Sequence, residues 1–140
     1  MPRVLLDTGP LVAFLDHRDT YHEWAVENVG ELTPPLLTCE PVLAEACYLV
    51  RGISGGPEAV MTLLFRDLIR VPFRVEPEAG RLGKLMEKYS NVPMSLADAC
   101  LVLMSETDDR NEVLTIDSDF RLYRKSNRRI VPTRMPPARG

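Results

Sequence analysis

Four acidic residues sit inside or at the end of apolar runs in this 140-residue chain, where a globular sequence ordinarily places apolar or small side chains. Asp7 ends Val4-Leu5-Leu6, Glu45 interrupts residues 41–50, Asp98 interrupts residues 96–103, and Asp117 follows Val113-Leu114-Thr115-Ile116. A carboxylate in apolar surroundings is costly to desolvate unless it is paired, hydrogen-bonded or bound to a cation. No Lys or Arg lies in these segments, so the four are expected to converge on a metal ion. Several hard oxygen ligands suit Mg²⁺ or Mn²⁺. A pair of such ions can acidify a water nucleophile and take up charge on a leaving oxygen, the two demands of phosphodiester hydrolysis. The chemistry expected is therefore chemistry on phosphate.

The elements that must position these acids alternate in type. Residues 4–6, 36–38 and 113–116 read as buried strands, and residues 70–75 and 129–131 as weaker strands nearer a sheet edge. Helices are expected over residues 20–32, 41–51, 57–70, 76–89 and 95–107. Pro41 suits a first turn, Gly52 ends its helix, and Ser95 is a good N-cap. Alternation of this kind predicts an α/β fold with a parallel sheet. In such sheets binding sites form at the carboxyl ends of the strands. Asp7 and Asp117 each follow a strand, Asp98 lies on the first turn of its helix, and Glu45 about one turn into its own. All four can meet at that edge.

Length fits one domain. The expected limits are residues 1–131 for the domain and 132–140 for a flexible tail, because Pro132, Pro136 and Pro137 disfavour regular structure. No apolar stretch approaches the ~20 residues of a membrane span, and Pro2-Arg3 leads straight into the first strand, leaving no room for a signal peptide. Cys39, Cys47 and Cys100 have no metal-binding or redox spacing and read as packing residues of a reducing, cytoplasmic setting. The net charge of −3 hides an asymmetry. Seven basic residues (Arg121, Arg124, Lys125, Arg128, Arg129, Arg134 and Arg139) and no acidic ones follow position 120, leaving 10 basic and 20 acidic residues before it. An acidic body with a basic end suits a metal site beside a phosphate-binding surface, although a solvated tail would read the same way.

Taken together, Leu5-Leu6-Asp7-Thr8, Pro41-Val42-Leu43-Ala44-Glu45, Ser95-Leu96-Ala97-Asp98-Ala99 and Leu114-Thr115-Ile116-Asp117-Ser118-Asp119-Phe120 resemble the four motifs of PIN-domain ribonucleases, and among these the VapC-like toxins of toxin–antitoxin pairs. Each motif alone is commonplace; four in order, from the first strand to Phe120, are specific. The resemblance implies a three-layer α/β/α sandwich and a Mg²⁺- or Mn²⁺-dependent endoribonuclease. Its metal-binding and catalytic acids would be Asp7, Glu45, Asp98 and Asp117, with Asp119 a further ligand in the outer shell. Thr8 and Thr115 match hydroxyl positions flanking the site. RNA as substrate, a cognate antitoxin and a homodimer are the implied partners. An inactive PIN domain used as an RNA- or protein-binding module is the alternative.

Each acid also has a plainer reading. Asp7 and Asp117 could simply cap the turns that follow their strands, and Asp98 could be a solvated acid at a helix N-terminus. Glu45 could pair with Arg18 or Arg51. Glu40, where the family usually has a small or polar residue, is expected to be an exposed first-turn acid. His17 and His22 fit no ligand spacing, and Tyr21 and Trp24 suit packing better than base stacking. A phosphorelay receiver domain, which shares the layered architecture, needs a paired acid after the first strand and a Lys after the last; Thr8 follows Asp7, and Asp117-Ser118-Asp119-Phe120 holds no Lys.

Overall fold

Parallel strands need a crossover between each pair, and this chain supplies helices for that purpose. The computed structural model describes residues 3–137. In chain order they form β1 (Arg3–Leu6), α1 (Thr8–Leu15), α2 (His22–Glu31), β2 (Leu36–Leu37), α3 (Glu40–Leu49), α4 (Gly56–Phe65) and β3 (Ile69–Arg70). A 3₁₀ turn (Glu76–Glu78) leads into α5 (Ala79–Lys88), followed by α6 (Leu96–Ser105), β4 (Asn111–Leu114), a second 3₁₀ turn (Ser118–Arg121) and β5 (Thr133–Arg134). The five strands pair in the order β3-β2-β1-β4-β5, every pair parallel.

The chain moves outward from β1 through β2 to β3, then returns across β1 to β4 and β5. Right-handed crossovers put α1 to α4 on one face of the sheet and α5 and α6 on the other. The packing agrees: α1 lies on α2 and α3, α3 on α4, and α5 on α6, which covers β4 and β1. The result is a three-layer α/β/α sandwich. The direction of winding reverses between β1 and β4, and in open α/β sheets sites form beyond the carboxyl ends of the strands at such a point. β1 is central, which explains its continuous apolar run: Val4, Leu5 and Leu6 are all buried. Every residue of α6 from Ala97 to Ser105 is buried, so the helix carrying Asp98 belongs to the core.

Several expectations change. α1 lies outside the helices expected from the sequence. Pro10 lies in the first turn, where an N–H has no intrahelical partner to lose, and Asp7 caps the helix. The edge strand expected over residues 70–75 is only Ile69–Arg70, since Pro72 cannot donate to a ladder. The strand expected over residues 129–131 is instead a single antiparallel bridge between Arg124 and Ile130. β5 forms at Thr133–Arg134, inside the segment read as a tail. Pro132 tolerates this by accepting a hydrogen bond from Val113 through its carbonyl, and Arg134 likewise accepts from Thr115. Thr38 of the second expected strand lies just past β2, where its backbone N–H donates to the Arg70 carbonyl.

The α3–α4 junction requires glycine twice. Gly55 has φ +73°, and a Cβ on Gly56 would collide with the Val50 carbonyl oxygen. Gly80, inside α5, faces open space. We therefore expect Gly56→Ala to lower the thermal midpoint by several degrees, while Gly80→Ala raises it slightly, in line with the ~0.5–1 kcal/mol that glycine costs inside a helix. Equal effects in melting curves of the two variants would contradict the tight junction.

Candidate functional site

The end of β1 sets the site. Asp7 turns from the strand into α1 as its N-cap, with Oδ1 accepting from the Thr8 N–H at 2.8 Å and Oδ2 from the Thr115 hydroxyl at 2.6 Å. Thr115 follows β4, and its Oγ1 also accepts from the Asp117 N–H at 3.0 Å. One hydroxyl thus ties together the two strand ends that carry Asp7 and Asp117. Asp117 caps the following 3₁₀ turn, its Oδ1 accepting from the Asp119 N–H at 2.9 Å. The plainer reading of these two acids as caps is geometrically true. It does not use all the oxygens of Asp117, whose Oδ2 takes no hydrogen bond among the described residues.

Asp98 enters from the opposite helical layer. It is the third residue of α6 and closes a capping box with Ser95, whose Oγ accepts from the Asp98 N–H at 3.0 Å while Asp98 Oδ2 accepts from the Ser95 N–H at 3.2 Å. The same Oδ2 accepts from the Tyr123 hydroxyl at 3.1 Å. Glu45 differs from its sequence-based reading. It is exposed rather than embedded, because α3 turns Ala44, Glu45, Tyr48 and Leu49 outward and buries Val42, Leu43 and Ala46. It nevertheless reaches the site, since Glu45 Oε2 accepts from the Thr8 hydroxyl at 2.8 Å. Its suggested basic partners are engaged elsewhere: Arg18 with Asp16, and Arg51 with the Tyr48 ring and carbonyl.

Burial pushes the Asp7 carboxyl up to about 7; the hydrogen bonds from Thr115 and Thr8 oppose this, and the charges of Asp98 and Asp117 add to it. Asp98 is also raised, first by burial and then by Asp117, against its bonds from Ser95 and Tyr123. Three carboxylates therefore feel one another, and none of the ion pairs among the described residues involves them or Glu45. Burial and the charge of Asp98 raise the Tyr123 phenol, which stays protonated at neutral pH.

Among the described residues no three Asp, Glu, His or Cys side chains close into a ready-made ion cage. The donors are all hard oxygens, and Asp98 Oδ1, Asp117 Oδ2 and Glu45 Oε1 take no hydrogen bond among the described residues. Such a set fits an ion that keeps several of its waters, as Mg²⁺ does, and does not fit one wrapped wholly in protein.

The remaining candidates separate clearly. Asp119 is half-buried on the 3₁₀ turn beside Asp117 and contributes charge near Tyr123. Glu40 is exposed on the first turn of α3. His17 is exposed, and His22 Nδ1 is occupied by the Ala13 carbonyl at 2.7 Å. Tyr21 and Trp24 meet edge to face, with Trp24 packed on the core. Cys39 and Cys100 are fully buried free thiols, hydrogen-bonded to each other; that bond and burial push the Cys39 thiol up. At the basic end, Arg121, Arg128 and Arg129 are exposed without an ion pair among the described residues. Arg124 is turned onto the Arg121 and Tyr123 carbonyls, Lys125 is buried, and Arg134 pairs with Glu112 at 2.7 Å. Arg139 lies outside the described residues. A cavity of about 1010 Å³ is lined by Arg3, Thr33, Pro35 and Arg110 near the amino ends of β1, β2 and β4, away from the four acids.

The residue that sequence reasoning missed is Tyr123. It stands in a basic, polar stretch 25 positions from Asp98, and only the folded chain brings them together.

Without metal, Asp7 holds its proton more tightly folded than unfolded, where its value is 3.8. Its contribution to stability is therefore fully present below about pH 4 and declines as pH rises toward about 7. At about 1.4 kcal/mol per pH unit this amounts to roughly 4 kcal/mol at most. We expect Asp7→Asn to melt higher than wild type at pH 7.5 in EDTA, with the gap closing at pH 4. A gap independent of pH would contradict the buried, charge-crowded carboxyl.

The comparisons with known proteins follow the same lines. The structure superimposes on the crystal structure of Mycobacterium tuberculosis VapC20, described as a Sarcin-Ricin loop cleaving toxin, with a TM-score of 0.74 and 17% identity, over 83% of this chain and 91% of that one. In sequence the chain is 25% identical over 118 residues to Ribonuclease VapC26 of Mycobacterium tuberculosis (strain ATCC 25618 / H37Rv), covering 81% of this chain and 86% of the relative. Residues 4–126 match the model of the PIN domain. That match spans β1 to the segment after Tyr123 and includes all four acids, so the chain belongs to the PIN-domain family.

Proposed function

We propose that this chain is a divalent-metal-dependent endoribonuclease that hydrolyses RNA phosphodiesters and acts as the toxin of a toxin–antitoxin pair. The observation that carries the proposal is the meeting of Asp7, Asp98 and Asp117 at the carboxyl edge of the sheet, with no ion pair to any of them among the described residues. Family membership supports it, as do a relative named as a ribonuclease and a fold shared with a protein described as a Sarcin-Ricin loop cleaving toxin. Asp7 and Asp98 would be the central ligands for Mg²⁺ or Mn²⁺, with Glu45 and Asp117 completing the site and Asp119 acting from outside it.

When bound, the ions supply a water acidic enough to attack phosphorus and take up charge on the leaving oxygen. The chain's own part is orientation. Thr115 and Thr8 fix the oxygens of Asp7, Thr8 also holds Glu45, and Ser95 holds Asp98. Arg121, Arg128 and Arg129 are free to contact phosphates. Single-stranded or looped RNA is the form such a surface would take, because side chains cannot read the deep groove of duplex RNA. The proposal includes a homodimer, which would cover the exposed Tyr48, Leu49, Met61 and Phe65 of α3 and α4. It also includes a small DNA-binding antitoxin whose tail covers the acidic edge. The proposal places the protein in the cytoplasm; no helix among the described residues is long and apolar enough to cross a membrane.

Purified protein should cleave a structured RNA with Mg²⁺ or Mn²⁺ and stop on adding EDTA. Asp98→Asn should lose more than about 100-fold, since loss of residues behind a metal's direct ligands alone costs 10–100-fold. Glu40→Gln, the control, should cleave normally. Cleavage indifferent to chelation would remove the metal mechanism, and an inactive wild type that still binds RNA would favour the binding module.

Charge reversal at Arg121 or Arg129 should weaken RNA binding and flatten its dependence on log salt by about 0.7 for each phosphate no longer neutralised. Melting temperature should hardly move, because exposed charges contribute under ~1 kcal/mol. A fall in stability with the salt slope unchanged would assign these arginines to the fold instead.

A further inference from the structure

We propose that Tyr123 is a positioning residue that fixes which oxygen of Asp98 faces the metal site. This rests on the reading of Asp98 as a ligand. Tyr123 is fully buried, and its ring is clamped edge to face between Tyr89 and Phe120, both at 5.1 Å between centroids. Tyr89 also holds the backbone beside it, its hydroxyl accepting from the Arg124 N–H at 2.9 Å. The phenol therefore presents its hydroxyl from a fixed point.

That hydroxyl donates to Asp98 Oδ2, the same oxygen that accepts from the Ser95 N–H. A capping box alone holds a carboxylate by one bond, about which it can still turn. Two donors from different parts of the fold, one at the start of α6 and one 25 residues after Asp98, remove that freedom. Oδ2 is thereby committed to the protein and Oδ1 to the site. Groups behind a metal's direct ligands act in this way, by holding the ligand rather than touching the ion.

The test uses the full chain and Mn²⁺ alone as probe, with binding followed by electron paramagnetic resonance and melting followed in EDTA. Tyr123→Phe removes only the hydroxyl and keeps the clamped ring. It should weaken Mn²⁺ binding by about 10–100-fold while the metal-free melting temperature moves by no more than a few degrees. In an Asp98→Asn background the same change should cost less than about twofold, because residues acting through one another are not additive. Wild-type affinity in Tyr123→Phe overturns the proposal. So does an equal loss in both backgrounds, which would mark a general structural effect even if the variant folds less well. If wild type itself takes up no Mn²⁺, the metal reading of the site has failed, and the role of Tyr123 falls with it.

Discussion

Asp7 places a carboxyl at the buried end of the central strand, beside two other acids, and no ion pair among the described residues offsets the charge it takes on when ionised. Much of the carboxyl edge answers that charge. The Thr8 N–H and the Thr115 hydroxyl point at its two oxygens, and α1 starts there with its N-terminal dipole turned toward it. These donors fall short of compensating burial, which is why the carboxyl still rises to about 7. Hydrogen bonds within the chain can orient a carboxylate, but the repulsion among three of them is relieved only by a proton or by a cation. A divalent ion would stabilise the acids in this arrangement.

The rigidity of the supporting elements makes this arrangement possible. β1 is flanked by β2 and β4 and covered on both faces, and α6 is buried along almost its whole length. Carboxylates mounted on such elements cannot swing apart to escape repulsion. Thr115 couples β1 to β4, and Tyr123 couples α6 to the segment after β4, so the acids are fixed to one another through the core rather than through a loop. Glu45 is the exception. It approaches from an exposed helix face through one bond to Thr8, so it has the most freedom to adjust to an ion or to RNA.

Much of this was legible in the sequence because it is local. A strand ending in Asp, and a Ser-x-x-Asp opening an apolar helix, give Asp7, Asp117 and Asp98 their places without knowledge of the fold. The parallel sheet follows from the alternation of apolar runs with helical patterns. What failed was what depends on distant parts of the chain. α1 is a short helix of eight residues that begins at once after Asp7, and its cap shows only in the folded chain. Glu45 looked buried because its neighbours are apolar, yet Tyr48 and Leu49 are 62% and 56% exposed on that same surface. Pro132 hid β5, because a proline that offers only its carbonyl to the adjacent strand looks like any other loop proline. Tyr123 gave no local sign at all.

The central claim, that a buried and crowded Asp7 awaits a cation, is tested most directly by following its side-chain carboxyl carbon by NMR as pH is varied, with and without Mg²⁺. In EDTA the Asp7 resonance should titrate near pH 7, well above the ordinary 3.8. Saturating Mg²⁺ should move that midpoint down by more than two pH units as the ion takes the proton's place. A midpoint near 4 that ignores Mg²⁺ would contradict the account.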